Sequence, residues 1–518
     1  MIPTVSDGPS DDALAEPGAA IDVESSPAAG DPVDAAEPAP ARTRRPTPWL
    51  LLPAVVMVLV PVRAATHSLE DIDLYWHLII GNEILDGTPI AEAGRGWSFA
   101  PVPDTWVSTQ WLAEILFAWM HRVGGFDAFI LWRSLTTVAA LVVLALVTLV
   151  GRPARAAAFP FALAGLAVAI TGQDRSQQLT YVLAPLVGWW AYKLWREGRV
   201  PRWWIVVPLV VVWANFHGGW VLLPGCLALA AVARVVDHGW RDRPARWGLV
   251  VAVAAGLASA VSPSGLGNTL ATVRFSGATD LIGEWGKVKV WDWQATALTS
   301  LVVIVALAWA LGRTRPSVGE IVLVLPLLGF GYFAWRSVTP TSLILAPIVT
   351  YTIARSLGDP DPLPPGTRQP LRRVAIGAAV AGLLLAVFAS VTQKPVLDPD
   401  YPLTLFAKIA ANPQPQRVLN TYNVAGPLLW FGGGPPHVTV GVDGRADRYG
   451  GAYIDNYLNG MIAARPGWET LFDQLHPQVA VLRTNEPLGA ILVTQRHWVE
   501  VAREGRTALL RAPDAPGW

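Results

Sequence analysis

The sequence predicts an all-α membrane domain of many crossings followed by a small extracytoplasmic α/β domain. Three observations lead to that fold class. Of 518 residues, 52% are hydrophobic and only 15% charged, at a mean hydropathy of +0.38, which is too apolar for an ordinary soluble protein. Apolar runs of membrane-helix type recur between residues 49 and 391. After "KPVLDPDYPL", Lys394 to Leu403, the composition turns to that of a soluble domain.

Residues 1 to 46 are rich in Ala, Pro, Asp, Glu and Ser, cannot bury enough apolar surface to offset their ordering entropy, and read as a disordered cytoplasmic tail. The membrane domain, 47 to 392, holds apolar runs near 49–65, 128–150, 156–171, 179–195, 203–214, 219–233, 247–262, 297–312, 318–335, 338–355 and 373–391. That predicts about eleven transmembrane helices. Basic residues alternate along them: Arg42, Arg44 and Arg45 precede the first run, Arg152 and Arg155 follow the second, and Lys193, Arg196, Arg199 and Arg202 follow the fourth. Arg234 to Arg246, Arg313 with Arg315, and Arg355 to Arg373 keep the same parity. Cytoplasmic loops carry the Lys and Arg excess, so the tail lies inside and residues 393 to 518 outside a multi-pass inner or plasma membrane protein.

Several function classes drop out. The formal net charge of +0 leaves no electrostatic footprint for nucleic acid. Cys226 is the single cysteine and lies within an apolar run, so neither a disulfide framework nor a cysteine-held metal is available. No two histidines have zinc-ligand spacing.

With that topology the polar motifs sort to the outer face: the loop 66 to 127, "GQDRSQQ", "NFHGG", "SPSGLGN", "GEW" and "WRSVTP". The inner loops offer Arg, Pro and small residues. Six polar loops on one face predict a composite site at the outer membrane boundary, where ionisable residues mark function. In "EDIDLYWHLIIGNEIL", Asp71 and Asp73 stand just beyond the first run. One can serve as a general base while the other orients it or holds a divalent cation, Mg or Mn. An acidic loop facing solvent accounts for the same residues, since Glu83, Asp86, Glu92 and Asp104 follow. Further along, Trp111, Leu112, Ile115, Leu116 and Trp119 fall at helical spacing with Glu114 and His121 off the stripe, as in an amphipathic helix lying in the interface.

An Asp-x-Asp pair outside the first span, an amphipathic first outer loop, about eleven spans and an outer C-terminal domain together resemble the GT-C glycosyltransferases. More narrowly, "DIDLYWHLIIG", "WANFHGG" and "DGRADRYG" resemble a group of bacterial GT-C-like membrane proteins. The resemblance implies a sugar donor linked to polyprenyl phosphate and an extracytoplasmic glycan, lipid or protein acceptor in the cell envelope. It also implies a catalytic carboxylate at Asp71 or Asp73. The Trp-Trp-Asp-Tyr-Gly motif of oligosaccharyltransferases is absent, which argues against transfer of a preassembled glycan to asparagine.

In such a reaction an arginine fork suits the departing phosphate. Arg175 and Arg336 are the isolated cations at outer span ends, although snorkelling explains each of them singly. His217 in "NFHGG" is a candidate substrate contact or a plain helix cap. His77 lies four residues after Asp73 and can share a helix face with it. In the C-terminal domain "RVLN", "HVTVGVD", "QVAVLRT" and "TALLRAP" read as strands, with helices near 423–431, 453–463, 468–475 and 486–495. "VDGRADRYG" puts Asp443 and Arg445 at a strand end, the usual place for function in an α/β sheet, though mutual pairing of structural charges explains the same residues and is the slightly better account. The rival reading is a non-catalytic carrier or scaffold for envelope glycan or lipid assembly. A carrier leads one to expect inverted repeats and broken helices at the midplane, whereas here the ionisable residues gather at one face.

Overall fold

The computed structural model describes residues 48–171, 174–267, 285–359 and 368–518. The predicted tail lies outside these residues, as do positions 172–173, 268 and 283–284 of the outer motifs. Residues 46–518 form one compact unit.

Helices occupy the apolar runs. They are α1 (Leu51–Thr66), α4 (Asp127–Thr148), α5 (Ala154–Thr171), α6 (Gln177–Glu197), α7 (Trp203–Ala214), α8 (Leu222–His238), α9 (Arg243–Ala258), α10 (Thr296–Leu311), α11 (Val318–Phe333), α12 (Trp335–Leu357) and α13 (Arg368–Thr392). Side chains fix several starts: the Asp242 carboxylate accepts from the Ala245 N–H at 2.8 Å, and Ser317 Oγ accepts from the Glu320 N–H at 3.1 Å. Seven helices among the described residues, not eleven, are long and apolar enough to cross a bilayer. The difference has a physical basis. Helix α7 has 12 residues, and α9 and α11 have 16 each, about 18 and 24 Å at 1.5 Å per residue against a hydrocarbon core of about 30 Å. Helix α6 is long, but polar at both ends, from Gln177, Gln178 and Thr180 to Lys193, Arg196 and Glu197.

The core of the membrane domain is α12, almost wholly enclosed and packed against α5, α6, α10 and α11. Ser342 Oγ and Thr350 Oγ1 are satisfied inside the helix, donating to the Val338 and Ala346 carbonyls, both at 2.8 Å, while Thr339 Oγ1 donates to the Ala167 carbonyl of α5 at 3.1 Å and Thr352 Oγ1 to Glu320 Oε1 of α11 at 2.7 Å.

Two helices of the first loop, α2 (Ile72–Leu85) and α3 (Trp111–Gly124), pack against each other. Of the apolar stripe of α3, Trp119 is 55% exposed while Trp111, Leu112, Ile115 and Leu116 are half-buried. Glu114, expected on the polar side, is fully buried on the inner face with Ala113, Phe117 and Ala118.

The C-terminal domain begins with α14 (Leu403–Ala410). Its sheet has strands β1 (Gln416–Asn420), β2 (Val438–Val440), β3 (Val479–Arg483), β4 (Val499–Glu504) and β5 (Thr507–Arg511), in the order β2-β1-β3-β5-β4. Strands β1, β2 and β3 run parallel, with Val418 opposite both Val440 and Val479, while β5 is antiparallel to β3 and β4. Helices at Ala425–Phe431 (α15) and Trp468–Leu475 (α18) lie in the two crossovers, the second crossover also holding the short α16 (Ala446–Tyr449) and α17 (Gly451–Asp455); α19 (Pro487–Gln495) follows β3. Strand β4 is absent from the sequence reading. It is a charged edge strand, "VEVARE", with most positions partly or fully exposed, the pattern that protects an edge from pairing with other chains.

The first loop and this domain are interlocked. Leu69 bridges to Leu397 and Ser98 to Val440, and α15 packs on α2.

Candidate active site between the first loop and the C-terminal domain

The first loop is shaped around its two aspartates. Asp71 is the N-cap of α2, its Oδ1 accepting from the Asp73 N–H at 2.9 Å. Its Oδ2 accepts from Arg175 Nε at 2.6 Å, and Arg175 Nη2 lies 3.3 Å from Asp73 Oδ2, so one guanidinium spans both carboxylates. Asp73 Oδ1 accepts from Trp76 Nε1 at 2.9 Å. The two differ in access. Asp71 is 2% exposed, while the Asp73 side chain is 23% exposed and borders a cavity.

A second buried ion pair stands behind them. Arg133 on α4, 1% exposed, donates to Asp174 Oδ2 at 2.9 Å and to the backbone carbonyls of Ala64, His67 and Ser68 at the exit of α1. It thus ties the segment leading to Asp71 to the residue preceding Arg175. Burial pushes the Asp71 carboxyl up to about 6 against the pull of Arg175, with the Asp73 carboxylate adding to the rise. Burial likewise pushes Asp174 up to about 7 against the pull of Arg133.

His217 closes the α7 end of the site. Its Nδ1 accepts from the Gly219 N–H at 2.9 Å, so the Thr180 hydroxyl donates to the same nitrogen at 2.8 Å and itself accepts from Trp213 Nε1 at 3.1 Å. A Cβ on Gly219 would meet Thr180 Oγ1 at 2.4 Å, so this approach requires glycine. Burial, then the charges of Arg336, Arg175 and His77, hold the His217 ring well below the usual imidazole range, neutral with its proton on Nε2. The neighbouring Asn215 docks the first loop, accepting from Trp111 Nε1 at 2.6 Å and, through its backbone carbonyl, from the Leu112 N–H at 3.1 Å.

The cavity has a volume of about 730 Å³. Its membrane side presents Asp73, Arg175, Lys287 and Arg336, with the Arg336 guanidinium 4.8 Å over the Trp285 ring. Its roof is made by Tyr422 and Asn423 after β1, Gly444 after β2, and Arg483 and Glu486 at the end of β3. These are the carboxyl ends of the three parallel strands, where open α/β sheets place ligands. Contact is close: a Cβ on Gly444 would fall 2.3 Å from Asp73 Oδ1 and 2.4 Å from Trp76 Nε1.

Of the residues singled out in the sequence, Asp71, Asp73 and Arg175 meet in one cluster, and Arg336 faces the same cavity as Asp73 and Arg175. His77 sits behind this wall, 3% exposed, with its Nδ1 3.2 Å from Glu114 Oε1 and its ring against Trp76. Asp443 and Arg445 are not on the cavity surface. They pair with each other at 2.7 and 2.9 Å, and Tyr449 donates to Asp443 at 2.7 Å. The Arg445 guanidinium lies between Trp97 and Trp106, 4.5 and 5.1 Å from their ring centres, and donates to the Gly94 carbonyl. Burial alone would raise the Asp443 carboxyl, but Arg445 and the hydrogen bonds hold it below the usual carboxylate range. This pair clamps the first loop to the domain.

The sequence reading missed Arg133 and Asp174 as well as the cavity residues Lys287, Tyr422, Asn423, Arg483 and Glu486. Arg133 had a signal, an arginine inside an apolar run. The roof had none.

Among the described residues no group of three or more His, Cys, Asp or Glu side chains converges. Both Asp71 oxygens are engaged, and the charge between the two carboxylates is already supplied by Arg175.

No protein-family model matches the chain, and neither does any curated protein. Among the solved structures similar to it are the following two. One is the oligosaccharyltransferase of Archaeoglobus fulgidus tethered through a disulfide to an acceptor peptide containing the NVT sequon. It is 11% identical, with 84% of this chain and 69% of that one covered and a TM-score of 0.45. The other is ArnT from Cupriavidus metallidurans bound to undecaprenyl phosphate, 16% identical, with 89% of this chain and 97% of that one covered and a TM-score of 0.47.

Proposed function

We propose that this chain is a membrane-embedded transferase that moves a sugar from a polyprenyl-phosphate carrier to an acceptor on the extracytoplasmic side. One observation carries the reading: a partly exposed carboxylate, Asp73, and three cations, Arg175, Arg336 and Lys287, face a single cavity roofed by the strand ends of the C-terminal domain. A lipid-linked sugar brings an anionic phosphate to the membrane boundary, and transfer needs a base on one side of the anomeric carbon and charge stabilisation on the other.

In this scheme Asp73 accepts the proton of an acceptor hydroxyl. The acceptor oxygen bonds to the anomeric carbon as the carbon–oxygen bond to phosphate breaks, and the electron pair leaves with the phosphate. Arg336, Arg175 and Lys287 neutralise that phosphate, the arginines by bidentate donation. Asp71, buried behind Asp73, is a positioning residue that holds Arg175 in place. Residues 421–423 and 483–486 hold the acceptor. The outer ends of the spans then face the cell envelope, with the basic loops in the cytoplasm.

The test is complementation of a deletion strain by wild type, Asp73→Asn and Arg336→Lys at equal membrane level, with lipid-linked and surface glycans profiled. A glycan lost on deletion and restored by wild type but by neither variant supports transfer. Restoration by Asp73→Asn and Arg336→Lys alike removes the catalytic reading and leaves the carrier or scaffold.

A further inference from the structure

A second cavity, an open groove of about 750 Å³, lies between the first turns of α7 and α9. It is at the opposite end of these helices from the site above. Asn215, at the C-terminus of α7, accepts from Trp111 of the first loop and donates to the Val261 carbonyl just beyond α9 at 2.8 Å. With 12 and 16 residues, the two helices carry the groove about 18 and 24 Å from that junction at 1.5 Å per residue.

The groove combines three arginines with three exposed indoles. Arg202, Arg243 and Arg246 line it together with Trp203, Trp204 and Trp247. The indoles are 54%, 54% and 49% exposed. On α9 the lining face runs from Arg243 through Arg246 and Trp247 to Val250 at helical spacing, so cations give way to apolar surface within two turns.

The arginines lack acidic partners. The carboxylates that flank them in the sequence are committed elsewhere: Asp242 accepts from Arg234 through both oxygens, at 2.8 and 3.0 Å, and Glu197 pairs with Lys193 and Arg199. Among the described residues no carboxylate forms an ion pair with Arg202, Arg243 or Arg246. The Arg202 guanidinium lies 5.4 Å over the Trp204 ring, and Arg246 Nη2 donates to the Arg241 carbonyl at 3.4 Å. Snorkelling accounts for each arginine singly, but not for three that share one groove without an acid. Indoles settle at the boundary between hydrocarbon and headgroups, and guanidinium forks match phosphate oxygens. An indole wall alone also takes choline. Three cations beside it oppose choline and favour a headgroup of net negative charge.

We infer that the α7–α9 groove binds an anionic phospholipid, its phosphodiester held by Arg202, Arg243 and Arg246 and its glycerol and upper acyl carbons lying on Trp203, Trp247 and Val250. This site is separate from the sugar-transfer site and does not depend on that reading.

The test uses the purified full chain in detergent, with lipid adducts counted by native mass spectrometry. The probes are phosphatidylglycerol, phosphatidylcholine with the same acyl chains, and glycerol phosphate. Wild type is expected to retain phosphatidylglycerol at least about tenfold more tightly than phosphatidylcholine, and Arg243→Gln/Arg246→Gln to lose about tenfold or more of that affinity. Trp247→Glu keeps every arginine but sets a carboxylate among them, and should lose phosphatidylglycerol as well. Arg313→Gln/Arg315→Gln is the charge-matched control: these exposed arginines lie outside the groove at the same end, in the loop whose Ser317 donates to Asp237. It should bind within about twofold of wild type. Equal retention of the two lipids, retention by both groove variants at the wild-type level, or an equal loss in the control overturns the inference. Glycerol phosphate binding as tightly as phosphatidylglycerol also overturns it, since the site is then one for free phosphate.

Discussion

Asp71 and Asp73 are two residues apart, yet the helix start between them gives each a different environment. Asp71 turns inward to cap α2 and grip Arg175, while Asp73, inside the first turn, looks into the cavity. Asp73→Asn should therefore lower turnover by about a hundredfold to ten-thousandfold, the usual worth of general-base action, in protein that inserts normally. Asp71 has a pH signature of its own. Its carboxyl is raised to about 6, so its contribution to stability is greatest below about 4, where folded and unfolded chains both hold the proton, and declines as pH rises through 6. The charged grip on Arg175 has the opposite dependence, and activity should fall as pH drops through about 6. Asp71→Asn should erase that limb of the pH–rate profile; an unchanged profile would mean that Asp71 does not set it. At Arg336 and Arg175, lysine keeps the charge and loses the fork, so both lysine variants should be strongly impaired. Their full activity would return both arginines to the role of interface anchors.

Among the secondary-structure elements, the first loop and the strand ends of the C-terminal domain behave as one unit. Gly444 comes within Cβ distance of Asp73 and Trp76, so Gly444→Ala should displace the aspartate and impair transfer while leaving insertion intact, a separation that activity and membrane yield measure together. Arg445→Ala strands a buried Asp443 carboxylate, a change that costs about 3–5 kcal/mol, and should appear as early thermal unfolding of the C-terminal domain. How much of this was legible depended on range. The Asp-x-Asp pair and four of the five strands announce themselves within a few residues, because capping and β-alternation are local. Asp443 and Arg445 looked like a site since a charged strand end reads the same whether it faces a ligand or a neighbour. Only Trp97 and Trp106, more than three hundred positions earlier in the chain, decide which. Edge strand β4 was lost because its half-exposed, charged pattern resembles a loop.

At the scale of the whole molecule, the expected sidedness rests on the alternation of basic loops along the sequence, which no single contact reports. Cys226 is buried, so introduced cysteines can be read against a quiet background. Arg241→Cys should react with an impermeant maleimide only in inverted vesicles, and Glu469→Cys only in intact cells. Labelling of both from one side would reverse the assignment of the outer face. Span number was less legible than span position, since hydropathy locates a helix but not whether it is long enough to cross, as α7 and α11 illustrate.

Strand β5 has a consequence for biogenesis. It lies between β3 and β4 in the sheet although it follows both in the sequence, and β3 carries Arg483 to the cavity roof. A nascent chain whose apolar helices have already been made still lacks the inner partner of β3, so the roof is completed after the helices beneath it. A stop codon before Thr507 should thus yield a protein that reaches the membrane in normal amount with its C-terminal sheet unformed, which limited proteolysis measures.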